Sequence, residues 1–231
     1  GEYEVIATRR ASRRNPSVGT FKLEIDRIVA PDIPLYPVDE ATLRAADYPD
    51  LDPKATADWT IFAYYGADTD LEEAIMRDAD EFERGGGSDE DVRVLALIDR
   101  HPDHSSIDGD WDTARLYELI ASDPTQTLEE AIIDSEPIAE LDEVDMGEGE
   151  TLAQFLVWGM QTYPAENYVV SFGGHGAGWD GIVSDETNDD NDLSMTELRR
   201  VFETVRATTG LQQFDLLIND ACLMASVEYY D

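Results

Sequence analysis

The sequence predicts an α/β domain in which helices pack on a sheet that is mostly parallel. Short, nearly continuous apolar runs alternate along the chain with longer segments whose apolar residues recur every three to four positions. Continuous apolar strands are typical of parallel sheets that are covered on both faces, and the longer period is that of amphipathic helices. With 231 residues, of which 42% are hydrophobic, the chain can bury one sizeable core.

Two segments precede this alternating pattern. Residues 1–30 contain two stretches in which apolar and polar residues alternate, which predicts a β-hairpin, the remnant of a β-rich module. Residues 31–57 hold five prolines and no clean period, so we expect a linker with one short helix near residues 40–46. The α/β domain is therefore predicted to extend from residue 58 to residue 231.

Strands and helices alternate within residues 58–231. Strands are predicted at residues 59–66, 92–99, 112–120, 167–174 and 214–220. Helices are predicted at residues 70–84, 150–163, 194–206 and 222–230. Asp70 and Ser194 are predicted to cap the helices that they begin. Glu197 follows Ser194 by three residues, which is the spacing of a capping box.

The chain is strongly acidic, with 52 acidic residues against 16 basic ones and a formal net charge of −36. Because the carboxylates stand between apolar runs, we interpret them as the surface of a halophilic protein, where concentrated salt screens their repulsion. No basic stripe is present, which argues against nucleic-acid binding through phosphates. No apolar run reaches the roughly 18 residues that a membrane-spanning helix needs.

The chain has a single cysteine, Cys222, and three histidines, of which His175 stands in the glycine-rich stretch SFGGHGAGW. One cysteine excludes an internal disulfide and a zinc site built from thiolates. His175 follows the strand at 167–174, and Cys222 follows the strand at 214–220. If these strands are parallel neighbours, both side chains emerge at one edge of the sheet. A cysteine nucleophile and its acid/base partner require this arrangement.

The surroundings of the two residues favour the same chemistry. Cys222 is expected to open a helix, whose positive N-terminal end favours the reactive thiolate. Acyl transfer also requires two N–H donors for an oxyanion, and those of Gly176 and Cys222 are the natural pair. Each residue has a structural alternative, because a histidine beside a strand and a buried cysteine are both common in protein cores.

The stretches HGAGW (175–179) and FDLLINDACLMASVE (214–228) resemble the clostripain family of cysteine peptidases, and the resemblance extends from about Trp59 to the end of the chain. It implies a caspase-like three-layer α/β/α sandwich. It also implies that His175 and Cys222 form a catalytic dyad, and that Asp220 lies in the pocket for the residue before the cleaved bond.

A carboxylate at the end of a buried strand needs a cationic partner, and an arginine side chain offers a bidentate one. The resemblance therefore implies a cysteine endopeptidase that cleaves protein or peptide substrates after Arg, with Lys left open. The alternative role of Asp220 is that of a helix cap ahead of residues 221–226.

The same resemblance implies that the peptidase domain continues beyond residue 231, so that this fragment could be inactive alone. We expect the protein to be secreted, because of the β-rich remnant and because the resemblance to this family implies secretion. No redox cofactor or nucleotide is implied. The acidic loop at residues 185–192 could hold Ca²⁺, although it lacks the EF-hand spacing, and a solvated loop is the default.

Two other function classes stay open at this point. The first is a non-catalytic binding or interaction module that keeps the caspase-like scaffold and uses its acidic face to bind cations or basic peptides. The second is a metal hydrolase that uses the histidines and the acidic clusters. The stretch HPDH (101–104) resembles a metal clip only in composition, and its spacing and context argue against one.

Overall fold

A computed structural model describes residues 33–122 and 133–225 of the chain. The hairpin predicted at residues 1–30 lies outside the described residues. The described residues from Pro34 onward belong to one compact unit.

Six described strands form a sheet in the order β4-β3-β2-β1-β5-β8. They are β1 (Ala57–Ala67), β2 (Val92–Arg100), β3 (Ala114–Glu118), β4 (Ala139–Leu141), β5 (Ala165–Gly173) and β8 (Leu216–Asp220). Strands β2, β1, β5 and β8 run parallel to one another, whereas β3 and β4 add antiparallel partners at one edge. The mostly parallel sheet is thus confirmed.

Helices cover both faces of this sheet. They are α1 (Glu40–Ala45), α2 (Glu72–Arg84), α3 (Gly149–Thr162) and α4 (Met195–Thr209). On one face, α2 packs its buried residues Ile75, Met76 and Ala79 against β1 and β2. On the other face, α3 and α4 enclose the larger part of the core, which includes Phe62 and Phe155. The result is the predicted three-layer sandwich.

The local signals that start α4 are confirmed. The Ser194 hydroxyl accepts a hydrogen bond from the Glu197 N–H, and the Glu197 carboxylate accepts one from the Ser194 N–H, which completes the capping box. Gly210 ends the helix in the left-handed conformation, with φ of 82°, where a residue without a Cβ is favoured.

The segment from residue 34 to residue 57 differs from the predicted linker, because it packs on the α/β domain. The Tyr36 N–H donates to the Thr204 hydroxyl at 3.0 Å, and the Trp158 indole N–H donates to the Pro49 carbonyl at 2.9 Å. Tyr36, Leu43 and Tyr48 are buried in the same core as α3 and α4. The proline-rich segment is therefore irregular, but buried side chains and hydrogen bonds hold it on the domain. The short predicted helix is present as α1.

The described residues also contain elements that the sequence pattern does not predict. Strand β4 is three residues long, and β6 (Ile182–Asp185) pairs with β7 (Asn191–Leu193) in a separate hairpin. The helix predicted to begin at Cys222 is not found within residues 221–225, of which 221–223 form a bend and a turn. No helix among the described residues is long and apolar enough to cross a membrane.

Candidate active site

The carboxyl ends of β5 and β8 lie side by side. The two strands pair in parallel, with Gly173 opposite Asp220. His175 follows β5 by two residues, and Cys222 follows β8 by two residues. The expectation that the two strands are parallel neighbours is confirmed, and both residues therefore leave the sheet at the same edge.

The loops that carry His175 and Cys222 are in close backbone contact. A Cβ atom added to Gly176 would overlap the carbonyl oxygen of Cys222 and would lie 3.0 Å from the Ala221 Cβ. A side chain at position 176 would therefore force the two loops apart. The φ of Gly176 lies outside the left-handed region, so its backbone conformation does not require glycine. The close approach of the two loops does require it.

The imidazole of His175 has a carboxylate partner that sequence analysis misses. The His175 Nε2 lies 2.7 Å from Asp70 Oδ1, and the His175 side chain keeps 43% of its surface exposed. The carbonyl of His175 accepts a hydrogen bond from the Val183 N–H of β6 at 2.8 Å. The side chain is thus held by Asp70 and the backbone by β6.

The prediction that Asp70 caps α2 is wrong. The helix begins at Glu72 after Leu71, which provides no side-chain cap. The Asp70 carboxylate instead turns to His175, which is 105 residues away in sequence. A carboxylate two residues before a helix has the sequence signature of a cap, and no local signal indicates a partner so far away in sequence.

Cys222 is exposed and lies in the turn after β8. Leu223, the next residue, has a φ of 63°, in a region that non-glycine residues rarely adopt. The described residues therefore give the Cys222 sulfur a tight turn in place of the predicted helix N-terminus, and they provide no helix dipole at the thiol. Such strained turns often occur where a side chain must be presented to a ligand.

The two N–H groups predicted to bind an oxyanion are free within the described residues. Hydrogen bonds from Val183 to His175 and from Ala177 to Gly181 flank Gly176, so Gly176 and Ile182 form a non-hydrogen-bonded pair. Neither the Gly176 N–H nor the Cys222 N–H donates a hydrogen bond in this part of the chain. Both donors are accordingly available to a ligand.

Asp220 borders a cavity of about 410 Å³ that lies between α2 and the sheet. The carboxylates of Asp78 and Glu81 line the same cavity. Burial, followed by the negative charges of Asp220 and Glu81, raises the pKa of Asp78 to about 6. The cavity therefore has a negative potential that a cationic side chain would relieve.

Two large apolar side chains flank the candidate site. Trp179 follows His175 by four residues and is 69% exposed, and Leu223 follows Cys222 and is 75% exposed. The backbones at Gly178 and Leu223 are close to each other, since a Cβ at position 178 would be in ordinary contact with the Leu223 Cβ, at 3.8 Å. Exposed apolar groups of this size beside a candidate nucleophile offer contact surface for a ligand.

The described residues contain two clusters with the side chains of a metal site. His101 and His104 both approach the Glu186 carboxylate, at 3.9 Å and 2.8 Å, and their rings lie 4.0 Å apart. The second cluster consists of Asp68, Asp99, Glu143 and Asp185. From the loop at residues 185–192, which was predicted to be solvated or to hold Ca²⁺, only Asp185 joins this second cluster, and its side chain is buried.

Comparison with known proteins agrees with this geometry. A model of the clostripain family matches residues 63–230. Clostripain from Hathewaya histolytica is 27% identical over 187 residues, which cover 73% of this chain and 34% of that protein. The chain thus spans about a third of the length of the curated relative that it matches.

Solved structures share the fold. A secreted C11 cysteine protease from Bacteroides thetaiotaomicron, solved in complex with an irreversible peptide inhibitor, superimposes with a TM-score of 0.57 at 20% identity, over 75% of this chain and 45% of that one. An inactive zymogen C11 protease from Parabacteroides distasonis gives a TM-score of 0.51 at 20% identity, over 76% of this chain and 45% of that one. The caspase-like architecture of the chain is confirmed by these similarities.

Proposed function

The chain belongs to the clostripain family, and from this premise we propose that it is the catalytic part of a cysteine endopeptidase that cleaves peptide bonds after arginine. The observation that carries the proposal is the parallel pairing of β5 and β8, which brings the His175 and Cys222 loops into contact. The chain's sole cysteine is exposed at this contact, where a substrate can reach it.

Catalysis would begin with the attack of the Cys222 thiolate on the scissile carbonyl carbon, which moves the electron pair of the C=O bond onto oxygen. The N–H groups of Gly176 and Cys222 would donate to this oxyanion. The His175 imidazolium would then protonate the leaving amine as the C–N bond breaks, and a thioester would remain on Cys222.

Hydrolysis of the thioester would use the same groups in the reverse sense. Neutral His175 would take a proton from water, and the resulting hydroxide would attack the thioester carbon. Collapse of this second oxyanion would release the carboxylic acid and restore the thiolate and the imidazolium. Asp70 would act in both steps as a positioning residue, because its carboxylate holds the imidazole in one orientation.

Substrate selection would rest on Asp220. Its position at the end of β8 is two residues from the nucleophile, and Asp78 and Glu81 add negative charge to the cavity that it borders. A guanidinium can form two hydrogen bonds with one carboxylate, which favours arginine over lysine.

The surroundings in which this peptidase would act follow from its charge and its relatives. The net charge of −36 supports an origin in a halophilic organism. Two of the structural neighbours are described as secreted proteases, which supports secretion of this protein.

A peptidase assay of the full-length protein in molar KCl tests the proposal. Fluorogenic peptides that end in Arg, Lys, Asp or Leu would be compared for the wild type, Cys222→Ala and Asp220→Asn. We expect cleavage after Arg that Cys222→Ala abolishes and that Asp220→Asn reduces selectively for the basic peptides. Absence of cleavage by a folded wild-type protein whose Cys222 is also unreactive towards iodoacetamide would favour a non-catalytic binding module.

A further inference from the structure

Two histidines and a glutamate meet at the surface, beside the loop that carries Asp70. His101 directly follows β2, His104 lies three residues further along the same loop, and Glu186 directly follows β6. The Nε2 atoms of His101 and His104 lie 3.9 Å and 2.8 Å from one carboxylate oxygen, Glu186 Oε2. The sequence alone could not reveal this group, because Glu186 is 82 residues away from His104.

The spacing of these atoms suits a tetrahedral metal ion. Zn²⁺ binds imidazole nitrogen and carboxylate oxygen at about 2.0–2.2 Å, so neighbouring ligand atoms at tetrahedral angles are about 3.4 Å apart. The two measured separations, 2.8 Å and 3.9 Å, lie on either side of this value. All three side chains are partly exposed, and shifts of about half an ångström would bring their atoms to the separations of zinc ligands.

The two imidazole rings are stacked, with centroids 4.0 Å apart and planes tilted by 39°. Two protonated rings at this distance would repel each other, so the pair favours either one proton or one shared metal ion. The Glu186 hydrogen bond raises the pKa of His104, and the negative charges of Glu72 and Asp70 add to this effect. The same carboxylates would attract a divalent cation, which carries twice the charge of a proton.

The loop that carries both histidines is held by a buried arginine. The Arg100 guanidinium forms a fully buried ion pair with Glu72. It also donates to the carbonyls of Ser105 at 3.0 Å and Gly109 at 3.3 Å. Because a charged side chain fixed on α2 thus binds the loop on the far side of His104, the loop presents both rings from a defined position.

Glu186 is fixed in turn to the segment that carries Asp70. The Glu186 N–H donates to the Asp68 carbonyl at 3.0 Å, and the Glu186 carboxylate accepts a hydrogen bond from the Asp70 backbone N–H. Outer contacts of this kind orient a carboxylate that binds a metal. The Asp70 side chain contacts His175, so a metal on Glu186 would also anchor the backbone that positions the candidate catalytic histidine.

We propose that His101, His104 and Glu186 bind one Zn²⁺ ion, with water as the fourth ligand. Imidazole nitrogen suits zinc, whereas Ca²⁺ and Mg²⁺ prefer oxygen ligands. One contact must change, because the Asp103 N–H donates to His101 Nδ1 at 3.0 Å, and a ring that binds zinc through Nε2 carries its proton on Nδ1. Asp103 is exposed, so its N–H can turn to water, and we expect weaker binding than at a closed structural site.

Calorimetric titration of the full-length protein with ZnCl₂, after treatment with a chelator, tests this site. The titration uses Cys222→Ala, because a thiolate would compete for zinc. The readout does not depend on peptidase activity, so failure of the proposed function would not affect the result. We expect one tightly bound zinc ion, which an excess of Ca²⁺ or Mg²⁺ does not displace.

Three matched variants in the Cys222→Ala background locate the ion: His101→Gln, His104→Gln and His175→Gln. The first two should each weaken zinc binding at least about tenfold, since even the loss of an outer-shell partner commonly has an effect of this size. His175→Gln is the control and should leave zinc binding unchanged. All three side chains are partly exposed, so the variants should fold, and their melting temperatures in the presence of chelator check this.

Three results would overturn the proposal. If only His175→Gln loses the ion, zinc binds at the candidate catalytic site. If all three variants bind zinc as tightly as the Cys222→Ala protein, the ion is held by carboxylates of the acidic surface. If the Cys222→Ala protein binds no zinc, His104 and Glu186 form an ion pair without a metal.

Discussion

The Asp70 carboxylate lies 2.7 Å from the Nε2 atom of His175, although 105 residues separate them in sequence. Asp70 stands between β1 and α2, and His175 follows β5, the neighbour of β1 in the sheet. Their contact adds a third residue to the pair that sequence analysis identifies. The Asp70 side chain is 68% exposed and the His175 side chain 43%. We therefore expect only a small loss of activity when this contact is removed.

Asp70→Asn should lower kcat/KM by about 1.5- to 5-fold, because exposed ion pairs contribute about 0.2–1 kcal/mol. The loss should appear in kcat, since the imidazolium is needed for protonation of the leaving amine. Steady-state kinetics on an Arg peptide measures the effect, with Asp112→Asn as an exposed control away from the site. A change in KM alone would assign Asp70 to substrate binding.

Gly176→Ala should abolish most activity while the protein remains folded. The added Cβ would overlap the Cys222 carbonyl oxygen, so the loops that carry His175 and Cys222 must separate. A misplacement of about 1 Å can reduce a rate about a hundredfold. Ala177→Ser adds one atom at the exposed neighbouring position and should leave activity unchanged. If Gly176→Ala retains wild-type activity, the backbone contact between the two loops is not required for catalysis.

The Asp78 carboxyl in the Asp220 cavity makes stability depend on pH. Burial and the charges of Asp220 and Glu81 raise the pKa of Asp78 from 3.8 to about 6. Ionisation of Asp78 therefore destabilises the folded state as pH rises from about 4 to above 6. Asp78→Asn should raise the melting temperature relative to the wild type at pH 7.5 and have little effect at pH 4.

Melting curves of the wild type, Asp78→Asn and Asp112→Asn at both pH values measure this difference. Asp112 is exposed, so its replacement should give equal shifts at the two pH values. A gain for Asp78→Asn that is as large at pH 4 as at pH 7.5 would contradict the assignment to Asp78 ionisation.

Salt should stabilise the protein strongly. At 0.1 M ionic strength charges interact over about 10 Å, whereas at 1 M they are screened beyond about 3 Å. With a net charge of −36, we expect the melting temperature to rise continuously from 0.1 M to 3 M KCl. Sucrose at equal osmolality provides the control, since it favours compact states without screening charge. Equal effects of sucrose and KCl would argue against a halophilic surface.

Much of the fold was predictable from local patterns. The continuous apolar runs identified β1, β2, β5 and β8, and the capping box located the start of α4. The short strand β4 and the β6–β7 hairpin were missed, because three or four residues carry too little periodicity to be recognised. The segment 34–57 was misjudged because its anchors, such as Tyr36 and Tyr48, act through tertiary contacts.

The candidate site was predictable only in part, for a related reason. His175 and Cys222 stand out because each directly follows an apolar strand. Asp70 gives no comparable signal, since its partner lies on a distant strand and its position resembles that of a helix cap. The carboxylates of the cluster formed by Asp68, Asp99, Glu143 and Asp185 come from four separate segments. In a chain with 52 acidic residues, composition cannot distinguish them from surface charges.

Covalent labelling of Cys222 tests the central claim most directly. A peptidyl chloromethyl ketone that ends in arginine would be compared with its leucine counterpart on the full-length protein, with peptide mapping by mass spectrometry. We predict that the arginine reagent alkylates Cys222 much faster than the leucine reagent, and that His175→Ala and Asp220→Asn each slow this reaction. Equal labelling by both reagents would contradict arginine selection, and an unmodified Cys222 in the folded protein would contradict its role as the nucleophile.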